Sequence, residues 1–336
     1  MKRVTWVALG GIVALTCVAE TDLAKASAEE AMRPVLPGWG RYYWNQRSIW
    51  YIHPAEAGDA FLRLHAVTKD AKYLAAARRI GDTYLRLQGK DGTWYLKMWE
   101  RDGKPVNPNR LLPLGVCDFL VALERATGDR RYGAAADRAF TFIEKGPLAD
   151  WNWEGQFEDV EPTARYENLT KHPACETALY LLRRYRGDAR RLLQARELLR
   201  FAEDQFVAWE RPCRADGTAV ESPFLKGKRI AEWPVFPAVM EQYKWYVPID
   251  ASAAKLIRTY LALYAVAHDP LDLAKARALG DSCTRIQEPT GCITTHWTSG
   301  SQKPVSPGKI RQADWLNCMI ATAEALEELS QTEKED

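Results

Sequence analysis

The chain repeats one short turn four times, as Thr68-Lys69-Asp70, Thr127-Gly128-Asp129, Arg186-Gly187-Asp188 and Ala267-His268-Asp269. Successive turn aspartates are 59, 59 and 81 residues apart, so the last interval holds one repeat and about 22 additional residues. A repeat of this length is typical of stacked supersecondary units. Because helical hydrophobic spacing flanks every turn, each unit is predicted to be a pair of helices.

The helix before each turn carries apolar residues three and four positions apart, such as Ala254, Ile257 and Leu261 in the last unit. The turn aspartate can cap the helix that follows by accepting hydrogen bonds from backbone N–H groups. The second helices are predicted at Ala71–Leu87, Arg130–Glu144, Ala189–Phe206 and Leu271–Ile286. One more helix of the first type, Asp314–Leu329, is predicted to close the chain.

Strand signals are sparse, with a few short β-like runs in the connections, such as Thr93–Met98 and Cys292–His296. The predicted class is therefore all-α. The loops before the first helices are long, aromatic and polar, which favours a closed α/α toroid of helical hairpins with a functional face over an open array. We expect residues 29–330 to form one such domain, in which Arg211–Glu232 either covers the cleft or lengthens a loop.

This pattern resembles the (α/α)6-barrel carbohydrate enzymes, or six-hairpin glycosidases. That group includes unsaturated glucuronyl hydrolases, N-acylglucosamine 2-epimerases and several uronate polysaccharide lyases. The resemblance covers most of residues 38–330 and is carried by the aspartate turns, the loop Asp91-Gly92-Thr93-Trp94-Tyr95 and the polar residues that open each first helix. It implies a ring of inner helices, with the active site where the loops leading into them meet.

The N-terminus is typical of a secretory signal. A positively charged start precedes the apolar stretch Val4–Thr16, which is too short to span a bilayer comfortably. Small residues allow cleavage after Ala19 or after Ala28. A lipid anchor on Cys17 and an uncleaved anchor are the alternatives. We therefore expect a bacterial protein that is secreted or periplasmic, without other membrane contact.

Composition disfavours several other classes. The net charge is +2 and no Lys/Arg block is present, so nucleic acid is not an expected partner. No P-loop, dinucleotide fingerprint, GxSxG or HExxH motif occurs, and no cofactor or metal is predicted. The cysteines show no CxxC spacing, although Cys283 and Cys292 could form a disulfide in an oxidising compartment.

The densest group of carboxylates precedes the third inner helix and contains Glu154, Glu158 and Asp159. A glycoside hydrolase needs one protonated and one ionised carboxyl group. Trp153 and Phe157 are apolar neighbours that could raise the pKa of a carboxyl by desolvating its charged form. We predict a hydrolase of an oligo- or polysaccharide; the competing interpretation is an acidic loop that faces solvent.

A second hypothesis is β-elimination on a uronate glycan. His172, Asn168 and Tyr166 lie together before or at the start of the third inner helix. A cation such as Arg110 would neutralise the uronate carboxylate, and a tyrosine or histidine would abstract a proton. Tyr243 and Tyr246 are further candidates for this role.

Substrate binding is assigned to side chains of the same loops. Indole rings offer flat apolar faces on which sugar rings stack, although core packing is the usual role of any one tryptophan. The predicted binding set is Trp44, His53, Trp94, Arg110, Trp153, Tyr166, Asn168, Tyr243, Trp245, Asp250 and Trp297. The remaining alternatives are a sugar epimerase and a helical array that binds a glycan or a protein without catalysis.

Overall fold

The computed structural model describes residues 48–99, 104–106, 108–151, 171–211, 215–216, 218, 233–240, 248–287, 293–295, 297 and 316–335. Their helices are α1 (Ile52–Thr68), α2 (Ala71–Leu87), α3 (Leu114–Thr127), α4 (Arg130–Lys145), the single turn α5 (Pro147–Asp150), α6 (Lys171–Arg183), α7 (Ala189–Phe206), α8 (Asp250–Ala267), α9 (Pro270–Gln287) and α10 (Leu316–Glu335). The predicted all-α class is confirmed. The second helices agree with prediction to within one residue, and α10 continues to Glu335 instead of ending at Leu329.

The repeated turn has one geometry at all four positions. Its middle residue is in the left-handed region, with φ between 52° at His268 and 81° at Gly187. Its aspartate accepts a hydrogen bond from the backbone N–H two residues later, at 2.9 Å from Lys72 after Asp70. The equivalent bonds after the other three aspartates are 3.0 Å long. The turn therefore ends one helix and caps the next.

The described residues fall into two compact units, which are called the N-terminal unit (described from 48 to 151) and the C-terminal unit (described from 171 to 335). In the N-terminal unit, α1 pairs with α2 and α3 pairs with α4, and the first helices α1 and α3 pack on each other. A Cβ on Gly58 of α1 would lie 2.3 Å from the ring of Phe119 on α3. Glycine therefore permits the close approach of these two helices.

In the C-terminal unit, α8 is the central helix. It packs against its partner α9 and against the two other first helices, α6 and α10. Its side chains Ala253, Leu256, Ile257 and Tyr260 are completely or almost completely buried. A helix with apolar contacts on several sides is expected at the inner position of such an arrangement.

Two pairs of short antiparallel strands fix the loops that lead into inner helices. Strand β1 (Ser48–Trp50) pairs with β2 (Lys97–Trp99), and β3 (Val207–Ala208) pairs with β4 (Ala238–Val239). The first pair continues into the hydrogen bond from Tyr51 N to Leu96 O at 3.1 Å, directly before α1. The second continues into the bond from Ile249 N to Val239 O at 3.0 Å, directly before α8.

A partly buried polar cluster joins α7, α8 and α9. The carboxylate of Glu203 accepts hydrogen bonds from Tyr260 (2.8 Å), from Trp209 (3.1 Å) and from Lys275, whose Nζ lies 2.7 Å from each carboxylate oxygen. Burial, followed by the charge of Glu203, raises the pKa of the Tyr260 hydroxyl. Because every donor converges on one carboxylate, this cluster fixes the relative position of three helices.

Candidate functional site

In the N-terminal unit, polar side chains gather at the start of α1. His53 Nδ1 lies 2.8 Å from Oε2 of Glu56, one turn later in the same helix. The His53 side chain is 20% exposed and that of Glu56 is 64% exposed, so this pair is open to solvent. A carboxylate that holds one ring nitrogen fixes the orientation of the imidazole, an arrangement suited to proton transfer.

The residue before this helix is held by a buried tyrosine. Tyr84 of α2 donates a short hydrogen bond from its hydroxyl to the carbonyl oxygen of Tyr51, and accepts one at 3.0 Å from the backbone N–H of Ala55. Burial raises the pKa of the Tyr51 hydroxyl; Tyr95 raises it further, and Arg110 opposes the shift. The first turn of α1 therefore has a fixed position beneath His53.

Arg110, a predicted substrate-binding residue, lies in a cluster with Asp91 and Tyr95. Its Nε is 3.0 Å from Oδ2 of Asp91, and its guanidinium carbon is 3.8 Å from the centre of the Tyr95 ring. The Arg110 side chain keeps 30% of its surface exposed. A guanidinium fixed on one side by a carboxylate and a ring can still offer donors to an anionic or hydroxyl group on the other.

In the C-terminal unit, charged residues on the inner helices form ion pairs. Glu176 of α6 pairs with Lys255 of α8. Arg258, one turn after Lys255, binds Glu328 of α10 through two hydrogen bonds of 2.5 and 3.0 Å and lies 3.6 Å from Glu324. The side chains of these five residues are 25% to 42% exposed. Two cations and three carboxylates thus connect three inner helices.

These charges were not among the predicted site residues, because they lie within helices and the predicted residues lie in the loops before them or at their starts. A signal was nevertheless present. Lys255 and Arg258 are the two cations of a helix whose other described positions are largely buried. Charged groups on such a helix need partners on neighbouring helices, because an unpaired buried charge is costly.

Asp250, a second predicted binding residue, is completely buried at the first position of α8. It accepts hydrogen bonds from Trp297 Nε1 (2.7 Å), from the backbone N–H of Thr294 (3.1 Å) and from the thiol of Cys283. Burial raises the pKa of Asp250 to about 7, against the effect of these donors. The structure therefore places Asp250 as an anchor for Thr294 and Trp297 instead of on a substrate-facing surface.

Two predicted stacking tryptophans are also in the core. Trp297 is 1% exposed and bound to Asp250. Trp94 is 1% exposed, donates its indole N–H to the carbonyl oxygen of Tyr84 at 3.0 Å, and meets the Tyr84 ring edge-on with centroids 5.4 Å apart. Their loops fold back onto their own unit, so neither indole offers a face to a sugar. The suggested disulfide is also corrected, because Cys283 is a free, buried thiol.

The other predicted site residues fall outside the structural description. His172 belongs to α6, but its side chain is not among those described. The remainder lie outside the described residues: Trp44, Trp153, Glu154, Glu158, Asp159, Tyr166, Asn168, Tyr243, Trp245 and Tyr246. Their roles stay predictions.

The described part of the chain lacks the features of a metal site and of a membrane span. Within it, no cluster of three or more His, Cys, Asp or Glu side chains has the geometry of a metal site. None of the described helices combines the length and the apolar character that crossing a bilayer requires.

No protein-family model matches the sequence, and no curated protein matches it significantly. Solved structures do resemble it. A D-mannose isomerase superimposes with a TM-score of 0.59 at 13% identity, over 85% of this chain and 72% of the isomerase. The cellobiose 2-epimerase of Spirochaeta thermophila gives 0.56 at 15% identity, over 86% and 72% of the two chains.

An unsaturated glucuronyl hydrolase specific for heparin gives a TM-score of 0.56 at 11% identity, over 84% of this chain and 75% of the hydrolase. These neighbours have (α/α) barrels. This chain has the six-hairpin, (α/α) barrel fold. At these identities the likeness concerns architecture, so the reaction must be inferred from the side chains that this chain carries.

Proposed function

We propose that this protein is a carbohydrate-active enzyme that hydrolyses a glycosidic bond in an oligo- or polysaccharide. The observation that carries the proposal is the fold, which extends over more than four fifths of the chain and is shared with proteins that act on sugars. Fold alone does not determine a reaction, so the local chemistry must support the assignment.

Charged groups on the inner helices are consistent with a polar ligand. The pairs Glu176–Lys255 and Arg258–Glu328 join side chains that remain partly exposed on packed inner helices. Partly exposed carboxylates and cations supply the oriented acceptors and donors that sugar hydroxyl groups need. His53 and Arg110 supply similar groups in the N-terminal unit.

Hydrolysis is the favoured reaction because of the carboxylates that precede α6 in sequence. Glu154, Glu158 and Asp159 provide the pair that acid–base cleavage requires, one to protonate the leaving oxygen and one to activate water or attack the sugar. Neighbouring Trp153 and Phe157 would desolvate such a group and keep it protonated. Glu176 adds a carboxylate within α6 itself, held by Lys255.

Epimerisation or isomerisation at a free sugar end is the second candidate. It is favoured by the exposed pair of His53 and Glu56, since an oriented imidazole can remove and return a proton beside a carbonyl group. Two of the structural neighbours are named as an isomerase and an epimerase. This reaction would leave the number of sugar chains unchanged.

A panel of neutral and acidic glycans, with mannose and cellobiose as free sugars, separates these reactions. New reducing ends without ultraviolet absorbance support hydrolysis. Absorbance of an unsaturated uronate identifies elimination and contradicts the proposal. A changed monosaccharide or reducing end without cleavage identifies the second candidate. No product from any substrate contradicts the enzyme assignment.

Matched variants locate the chemistry. Under hydrolysis, Glu154→Gln or Glu158→Gln abolishes turnover, whereas Glu144→Gln, an exposed change on α4, leaves it intact. Under epimerisation, His53→Gln abolishes turnover and the two loop variants are mild. Under hydrolysis His53→Gln chiefly raises KM, because the side chain then only positions substrate.

A further inference from the structure

We propose a binding site for an acidic glycan in the N-terminal unit, formed by the basic pocket, which we define by Lys90, Arg138 and Lys145. A cavity of about 540 Å³ is lined by these three cations together with Asp91, Gly92, Thr141, Phe142 and Gly146. The proposal deepens the proposed function, on which it rests, by naming the class of glycan. The shared ligand chemistry is a sugar carrying a carboxylate or sulfate group.

The pocket is built on one face of α4. Arg138, Thr141, Phe142 and Lys145 occupy positions i, i+3, i+4 and i+7, so their side chains line one stripe of the helix. The opposite wall is the loop that carries Lys90 and Asp91 after α2. A pocket with cations on both walls and an aromatic ring on one of them matches a sugar ring that bears an anionic group.

The loop is held firmly against α4. Gly92 has φ of +93°, and a Cβ at this position would lie 2.3 Å from the carbonyl oxygen of Arg138. Gln88 donates from Nε2 to the carbonyl oxygens of Gly92 (2.7 Å) and Ala135 (2.8 Å). It also accepts from Nε and Nη2 of Arg138 at 3.0 and 2.5 Å. One glutamine therefore fixes both walls and orients the guanidinium before any ligand arrives.

The charge balance favours an anion. Within the described residues, no ion pair engages Lys90 or Lys145, and Arg138 is held by the neutral oxygen of Gln88. The carboxylate of Asp91 is directed to Nε of Arg110 at 3.0 Å. Three cations thus face a single carboxylate that already has a partner, so an anion would complete the site.

A second cavity of about 570 Å³ continues from the same arginine. It is lined by Asp82, Leu85, Arg86, Arg131, Ala134 and Arg138. Arg131 binds Asp129 with contacts of 2.6 to 3.0 Å, so its charge is largely matched, whereas Arg86 adds a further cation. A chain with several anionic sugars could extend in this direction, which favours an oligosaccharide over an isolated small anion.

The location agrees with a role at the functional face. Lys90 follows the last residues of α2, and Lys145 is the last residue of α4. At these helix ends the chain leaves the second helix of one hairpin and leads into the first helix of the next hairpin. Asp91 connects the pocket to Arg110 and, through it, to the ring of Tyr95. An anion in the basic pocket would therefore lie beside the loop that carries a candidate substrate-binding residue.

The test is direct binding to fluorescently tagged oligosaccharides at low and moderate salt, without any turnover measurement. Oligoglucuronate carries carboxylates only, sulfated dextran carries sulfates only, and dextran carries neither. We expect binding to at least one acidic probe, weakened by salt, and none to dextran. Lys90→Ala with Lys145→Ala should weaken binding roughly tenfold, as expected for the loss of two exposed charge contacts.

The control double variant is Arg125→Ala with Arg130→Ala, which removes two exposed cations at the opposite end of the α3–α4 hairpin. It should change affinity less than about twofold. Three outcomes would overturn the proposal. Both double variants could lose affinity equally, neither acidic probe could bind, or a single-stranded oligonucleotide of equal charge could bind more tightly than the acidic probes. Binding of an acidic probe by a protein that turns over no glycan of the panel above would sustain the pocket and contradict the enzyme assignment. Turnover of a neutral glycan without binding of either acidic probe would contradict the pocket and sustain the enzyme assignment.

Discussion

The contribution of the Asp250 carboxyl group to the stability of the folded protein should fall as the pH rises. Burial raises its pKa from 3.8 to about 7. The folded state therefore binds this proton more tightly than the unfolded state, so stability is greatest at low pH and falls as pH rises from about 4 to 7. This is opposite to the behaviour of a carboxylate in an ion pair.

For each pH we compare the free energy of unfolding of the wild type with that of Asp250→Asn. We predict that the wild-type value minus the variant value is about 2–3 kcal/mol lower at pH 8 than at pH 5. Urea unfolding at the two pH values measures this difference. Asp281→Asn, which removes an exposed carboxylate of the neighbouring helix α9, is the control and should have the stability of the wild type at both pH values. A difference between wild type and Asp250→Asn that is independent of pH would show that Asp250 is ionised in both states.

The polar cluster of Glu203 determines how three helices are joined. Glu203 and Lys275 are 18% and 25% exposed, so loss of one partner leaves a largely buried charge. Glu203→Gln should lower the free energy of unfolding by about 2–3 kcal/mol, measured by urea denaturation. Lys275→Met, combined with it, should restore part of this loss. Glu197→Gln, exposed on the same helix, is the control, and an equally small effect in both would contradict the cluster's role.

The helices could be predicted from sequence because their signals are local. The turn residues Gly128 and Gly187 suit the left-handed backbone, and each aspartate caps the following helix by accepting from the backbone N–H two residues later. The site could not be predicted in the same way. Glu176 and Lys255 are 79 residues apart in sequence and meet only in the folded chain. Trp94 belongs to a polar loop, yet the strand pairing beside it places the ring in the core.

Export is a property of the whole chain that the N-terminal sequence predicts. We expect the full-length protein, expressed in a Gram-negative host, to appear in the periplasm with residues 1–19 or 1–28 removed. N-terminal sequencing of the fractionated protein measures this. Lys2→Glu with Arg3→Glu should leave an uncleaved precursor in the cytoplasm, because the positive start is required for recognition. Lipid attached to Cys17, or an intact N-terminus in the membrane, would contradict cleavage by a signal peptidase at these positions.

A shared fold does not determine the reaction, and the Glu176–Lys255 pair allows a contribution from the inner helices to be tested. Both side chains are partly exposed, so the pair should contribute at most about 1 kcal/mol to stability. Lys255→Met should nevertheless lower kcat/KM at least about tenfold, which corresponds to a loss of about 1.4 kcal/mol of transition-state stabilisation. Lys334→Met, near the end of α10, is the control and should leave turnover unchanged.

The exchange of the two charges separates a role in the site from a structural one. Glu176→Lys combined with Lys255→Glu restores an ion pair between α6 and α8, and thermal unfolding should return close to that of the wild type. If the ammonium group contacts substrate, turnover stays low, because a cation on α6 cannot replace one on α8. Recovery of turnover together with stability would show that the pair only joins the helices, and would leave Glu154, Glu158 and Asp159 as the remaining candidates for the acid–base pair.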